Sequence, residues 1–193
     1  LLVPEAQEDG VIAALELAAM EQYPSLLDNP DLASVVNDKQ YQRLQEMVED
    51  ARDKGADVRE INPAGENFSG SNQRKMPLTI VRNPTDEMTV MQEEIFGPVL
   101  PVKTYKDVDE AIDYVNQNDQ PLGLYYFGED SGERETVLKR TASGGVTTND
   151  VIFHIAMDDL PFGGVGPSGI GSYHGPEGFK EFSHARSVYS QPK

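Results

Sequence analysis

Apolar positions recur along this chain in helical and strand rhythms that alternate with one another. After the apolar opening Leu1 to Pro4, the residues Ile12, Leu15, Ala19 and Tyr23 share one face of a helix that Pro24 stops. Tyr41, Leu44, Val48 and Ala51 mark a second helix, with Asn37 or Asp38 suited to its N-cap and Gly55 to its C-terminal cap. Asp57 to Ile61 then reads as a strand. Asn62 to Lys75 has the composition of a loop, and Leu78 to Val81 is a short apolar strand. Val99 to Tyr105 is a further strand, followed by a helix capped at Asp107 that turns Val108, Ala111, Ile112 and Val115 inward. Leu122 to Phe127 is a strand, Ser131 to Thr141 a helix, and the β-branched run Val146 to Thr148 another strand after Gly144 and Gly145. Such alternation predicts βαβ units and an α/β fold, a largely parallel sheet flanked by helices. No internal repeat or linker divides the chain.

Composition narrows the class of protein. At 193 residues the chain is of single-domain size, and it has no apolar stretch near the ~20 residues of a membrane span. Sixteen basic against 33 acidic residues give a formal charge of −17, a field that repels nucleic acid and anionic lipid surfaces. The absence of cysteine removes disulfides, thiolate metal sites and a thiol nucleophile from this stretch of sequence. The opening at Leu1, with no basic segment or cleavage pattern, reads as a start inside a longer protein.

Two segments stand apart from the scaffold. In Gln92-Glu-Glu-Ile-Phe-Gly-Pro98 two carboxylates precede an aromatic ring and a Gly-Pro turn. A carboxylate can accept both vicinal hydroxyls of a ribose, and an aromatic two residues on can pack against a nicotinamide. On spacing alone the same residues read first as a solvated acidic pair beside a core phenylalanine at a turn, and the segment by itself establishes no cofactor site. In Leu160-Pro-Phe-Gly-Gly-Val-Gly-Pro-Ser-Gly-Ile-Gly171, Gly164, Gly166 and Gly169 satisfy the spacing of a dinucleotide-binding loop. The context excludes that reading: no strand leads into the glycines, Pro167 sits among them, and breakers continue to Pro176. Glycines here serve close passage of backbone against a neighbouring segment or ligand. His154, His174 and His184 have no metal-ligand spacing, so no metal is expected, and no serine-hydrolase elbow occurs.

Taken together, Glu93 to Val99 and Pro161 to Gly171 resemble two signature stretches of the aldehyde dehydrogenase superfamily, in the same order and approximate separation. Gly144 to Asp150, Val151 to Ile155, Gly171 to Gly175, Phe179 and Phe182 to His184 resemble its class-3-type branch, nearest to coniferyl aldehyde dehydrogenases. The resemblance covers essentially the whole chain and implies part of a catalytic domain, residues 1 to 193 with a C-terminal tail, without the cofactor-binding half. It implies a cytoplasmic NAD(P)-dependent enzyme that oxidises aldehydes, coniferyl or other aromatic or medium-chain, to carboxylic acids.

In that family a cysteine thiolate attacks the aldehyde, hydride passes to the nicotinamide, and water releases the acid. Residue by residue, the resemblance gives Glu94 the nicotinamide-ribose hydroxyls and Phe96 the nicotinamide face. It gives Phe162, Tyr173 and His174 the substrate pocket. The cysteine is expected about a dozen residues upstream of Leu1, with the oxyanion-hole asparagine and general-base glutamate also upstream, so this chain contains no catalytic residue and is expected to be inactive and to bind neither NAD nor NADP by itself. Relatives of this type are dimers, which points to Gly144 to Val151 and Ser183 to Lys193 as interface and to self-association of the chain. Two other readings stand beside this one: a non-enzymatic interaction or structural protein that keeps the fold, and a stand-alone ribose-binding module.

Overall fold

The computed structural model describes residues 1–192, so Lys193, at the end of the expected interface segment, lies outside the described residues. The chain forms two compact units, Leu1–Lys106 and Asp107–Lys193.

The first unit is built on a four-stranded sheet of β1 (Leu2–Pro4), β4 (Val99–Tyr105), β3 (Leu78–Arg82) and β2 (Asp57–Ile61), in that spatial order. β1 and β3 run parallel to β4, whereas β2 pairs antiparallel with β3, Asp57 opposite Arg82 and Ile61 opposite Leu78. Successive residues of β3 point to opposite faces. Ile80 joins Val3, Ile12, Ile61 and Val102 under α1 (Glu8–Gln22), and Val81 joins Leu44, Met47, Val48 and Ala51 of α2 (Asp38–Asp53) with Val90 and Val99. Both faces of the sheet are therefore covered, each by one helix. Of the two candidate caps, Asn37 takes the N-cap of α2, its side-chain oxygen accepting the Gln40 N–H at 2.9 Å, and Asp38 is the first helical residue. Gly55, at φ 89°, lies just past the helix end, where a left-handed residue closes the last turn.

The second unit contains a parallel pair, β5 (Gly123–Tyr126) and β6 (Gly145–Thr148), joined through α5 (Ser131–Arg140), which is the predicted βαβ connection. α4 (Val108–Gln117) and α5 take Asp107 and Asp130 as N-caps, whose carboxylates accept backbone N–H groups of Glu110 and of Gly132 and Glu133. Backbone N–H bonds hold the Asp130 carboxyl below its ordinary value, that of Glu133 first and that of Gly132 next. The helices are tied together by Asn116, which donates to the Arg140 carbonyl at 2.9 Å, and by an Arg140–Asp109 ion pair.

One expectation needs correction, and two features were left unread by the sequence. The second predicted βαβ unit, strand 99–105 to strand 122–127, does not form, because β4 and β5 belong to different sheets. The strand at Asp57–Ile61 is present but antiparallel, a direction that side-chain alternation cannot encode. The helices α3 (Thr89–Gln92), α6 (Phe153–Ala156) and α7 (Gly175–Glu181) were not foreseen, since elements of four to seven residues show at most two turns of any period.

Candidate functional site

Glu94 and Phe96 lie on one short segment of the first unit, between α3 and β4. α2 holds this segment at both ends. The Asp50 carboxylate accepts the Thr89 N–H at 2.8 Å, fixing the first turn of α3, and pairs with Lys54 at 2.7 Å. These bonds, Lys54 first and Thr89 next, keep the Asp50 carboxyl below its ordinary value. One turn and more earlier on the same helix, the Arg43 guanidinium donates to the Ile95 carbonyl at 2.6 Å and the Glu94 carbonyl at 3.2 Å, and pairs with the Glu93 carboxylate at 3.2 Å. The guanidinium fork is thereby satisfied by backbone as well as by charge, which fixes its plane.

Gly97 follows, and a Cβ there would overlap the Leu44 side chain, so the chain passes directly over the core. Phe96, just before Gly97, is left-handed at φ 51°, and the residue is 82% exposed. This departs from the core-phenylalanine alternative: the ring is displayed, not packed. A non-glycine residue in this region costs conformational energy, and Arg43 and Leu44 over-determine it. Glu94 is exposed and no described residue bonds its carboxylate, leaving two acceptor oxygens two residues from the displayed ring. Arg43 was not singled out in the sequence, because its partners lie about fifty positions on and no local spacing announces them.

Phe162, Tyr173 and His174 are brought together in the second unit. Phe162 and Tyr173 exchange both backbone hydrogen bonds, 2.7 and 2.9 Å, as an isolated antiparallel bridge. Their rings meet edge to face at 5.6 Å between centroids, and the His174 ring lies 4.5 Å from that of Tyr173 and 6.2 Å from that of Phe162. His174 takes φ 73° at the N-cap of α7, and its Nδ1 is buried without a protein partner. The bridge needs its glycines: a Cβ on Gly163 would overlap the Gly171 carbonyl oxygen, and one on Gly164 the Ser168 carbonyl oxygen. Close backbone passage is thus what the glycine-rich loop provides. No strand enters the loop and a 3-10 turn, Gly166–Ser168, replaces the helix that a phosphate-binding loop would require.

Two clefts of about 460 and 400 Å³ occur in the first unit, lined by residues 27–34 with 72–75 and by α2 with residues 60–79, and neither includes Glu94 or Phe96. Among the described residues no group of three or more His, Asp or Glu side chains is placed to hold a metal ion, and no helix is long and apolar enough to cross a membrane.

An α/β scaffold that displays a carboxylate and an aromatic ring from one strained segment, and an aromatic cluster from a glycine-closed loop, has the two signature stretches of an oxidoreductase family in folded form. Comparison with known proteins agrees. The chain belongs to the aldehyde dehydrogenase family, whose profile matches residues 1–188. It is 55% identical over all 193 residues to a probable coniferyl aldehyde dehydrogenase of Caulobacter vibrioides and 53% identical over 191 residues to a coniferyl aldehyde dehydrogenase of a Pseudomonas strain. Its 193 and 191 matched residues, 100% and 99% of this chain, cover 40% of each of those proteins. Among solved structures, that of a substrate-bound Staphylococcus aureus AldH superposes with a TM-score of 0.84 at 35% identity, over 100% of this chain and 42% of that one.

Proposed function

We propose that this chain is the cofactor-facing and substrate-facing portion of an NAD(P)-dependent aldehyde dehydrogenase that oxidises coniferyl or other aromatic, or medium-chain, aldehydes to carboxylic acids in the cytoplasm. The observation that carries the proposal is the Arg43-clamped segment, which leaves the Glu94 carboxylate unbonded and the Phe96 ring exposed. These residues suit the cofactor. Glu94 accepts hydrogen bonds from the two hydroxyls of the nicotinamide ribose, and Phe96 covers one face of the nicotinamide. The cofactor, when bound, accepts the hydride of the aldehyde carbon.

Phe162, Tyr173 and His174 form an aromatic wall for the aldehyde and exclude water from it. The nucleophilic thiol is not among these 193 residues, which contain no cysteine, and belongs to a part of the polypeptide outside them. Self-association fits the second unit, where Ile170, Phe179, Phe182, Val188 and Tyr189 are exposed.

The experiment is aldehyde-dependent NAD and NADP reduction by a polypeptide of the relatives' length carrying this sequence, with coniferyl aldehyde and an aliphatic aldehyde side by side and the 193-residue chain as control. Turnover by the longer polypeptide alone is expected. Silence in both, or turnover by the short chain, overturns the reading.

A further inference from the structure

His154 is the most buried histidine of the chain, 6% exposed, and the proposed chemistry does not use it. Its imidazole lies against Gly123 and Gly145, which face each other in the β5–β6 register; a Cβ on Gly145 would come 2.5 Å from the ring's Cδ2, and one on Gly123 3.2 Å from its Nε2. Two paired glycines thus cut a flat seat in the sheet for one ring. Buried Thr147, two residues along β6, holds that ring in place. Its Oγ1 accepts the His154 backbone N–H at 3.2 Å and shares a hydrogen with Nδ1 at 2.7 Å. On its outer side the imidazole meets Phe162, centroids 6.4 Å apart and planes at 43°, and Tyr125 at 5.7 Å.

Nε2 is buried and bonds no protein group. A buried polar atom without a protein partner is a liability for folding, and an apolar ring would fill the same seat without it. What the imidazole supplies and an apolar ring does not is the Nδ1 anchor, which fixes the plane of the ring against Phe162. Phe162 in turn sets Tyr173 and His174 through two backbone bonds and two ring contacts.

We infer that His154, anchored by Thr147, is a positioning residue for the Phe162–Tyr173–His174 wall. Its assigned role is exerted through Phe162. The inference rests on the proposed function for the claim that this wall meets aldehyde, and on geometry alone for the claim that His154 orients Phe162.

The two claims are tested separately. In the 193-residue chain with ¹³C-labelled phenylalanine rings, Thr147→Val removes the hydroxyl at nearly constant volume, and the Phe162 resonances are expected to shift or broaden. Thr147→Ser is expected to restore them. His154→Asn, which keeps a polar group near Nδ1 but loses the ring, is expected to displace them as Thr147→Val does. Unmoved Phe162 resonances in both disruptive variants overturn the inference.

In the polypeptide of the relatives' length, Thr147→Val removes both Oγ1 hydrogen bonds to His154 and is expected to raise KM for coniferyl aldehyde about two- to tenfold, the worth of the Nδ1 bond that orients the ring, with kcat nearly constant. KM for a short aliphatic aldehyde should change less, and Thr147→Ser should recover the original value. Equal kinetics in the variant and its parent remove the substrate role. Displaced resonances with no aldehyde turnover by the parent leave the positioning intact and remove the functional reading instead.

Discussion

In Leu1–Lys106 the sheet buries apolar residues on both faces, and Leu44, Met47, Ala51, Val81 and Val102 are almost wholly inaccessible. Among the described residues of Asp107–Lys193 the buried hydrophobic ones are Ile112 and Tyr126, while Phe127, Ile152, Ile170, Phe179 and Phe182 stand exposed. The first unit is held by removal of apolar surface, worth about 1.5–3 kcal/mol for each fully buried large side chain. The second is held by polar anchors and backbone approach. Asn149 exchanges two hydrogen bonds with the Gly128 backbone, Tyr126 donates to Glu133 at 2.8 Å, and Gly144, Gly163 and Gly164 admit neighbouring carbonyls where a side chain would not fit. The displayed residues follow the same division. Phe96 is pushed out of a packed core by an arginine clamp, whereas Phe162 is gathered into an aromatic cluster by glycines.

The contrast can be broken by substitutions. The largest effect is expected from Leu44→Ala, which empties a fully buried site beneath Gly97 and should cost about 2–5 kcal/mol in chemical unfolding followed by residues of the first unit. Amide exchange at Phe162 and Tyr173 should change far less; equal acceleration there would mean that the two regions do not differ in the way described. Gly163→Ala comes next, at about 1–3 kcal/mol, because the added methyl meets a backbone carbonyl that cannot rotate away. Its signature is loss of the Phe162–Tyr173 bridge by hydrogen exchange with α2 unaffected. Arg43→Gln should cost about 1 kcal/mol, since the guanidinium is partly solvated and its carbonyl partners can turn to water. The sensitive readout is the Phe96 backbone, whose left-handed conformation should relax and be seen in its scalar couplings and chemical shifts.

Much of the scaffold was legible because it is written locally. Asn37 and Asp107 announced their helices, and Leu44, Val48 and Ala51 their buried face, as caps and periods that need no knowledge of the partner. The glycine-rich loop was readable as a place of close backbone approach, although Gly171 and Ser168 as the segments approached were not. What stayed hidden depends on tertiary partners: the direction of β2, the separation of β4 from β5 into two sheets, and the Arg43 clamp. Phe96 shows the limit within one residue. Its type and neighbours permitted either a core ring or a displayed one, and the choice is made by Arg43 and by the packing of Gly97 on Leu44. His154 is similar, an isolated histidine in sequence whose seat exists only once Gly123 and Gly145 come into register.

The smallest expected effect concerns acid. Asp50 bridges α2 and α3, and its carboxyl is held below the ordinary 3.8 by the Lys54 hydrogen bond first and the Thr89 N–H next. A group whose native value lies below its unfolded value contributes stability that is complete above the unfolded value and is lost as pH falls through the lowered native one. Asp50→Asn removes that contribution at every pH. The difference in unfolding free energy between the parent chain and the variant should therefore stay constant from neutral pH down to the ordinary carboxylate value, then shrink on further acidification. Urea unfolding of both chains across that interval measures it. A difference that grew with acid would mean that Asp50 is not a stabilising anion in the native state, and that the segment leading to Phe96 is held by Arg43 alone. Asp130 shifts in the same direction at the N-cap of α5, so acidification should loosen one polar anchor in each unit, and the first unit, with its covered sheet, should tolerate the loss better.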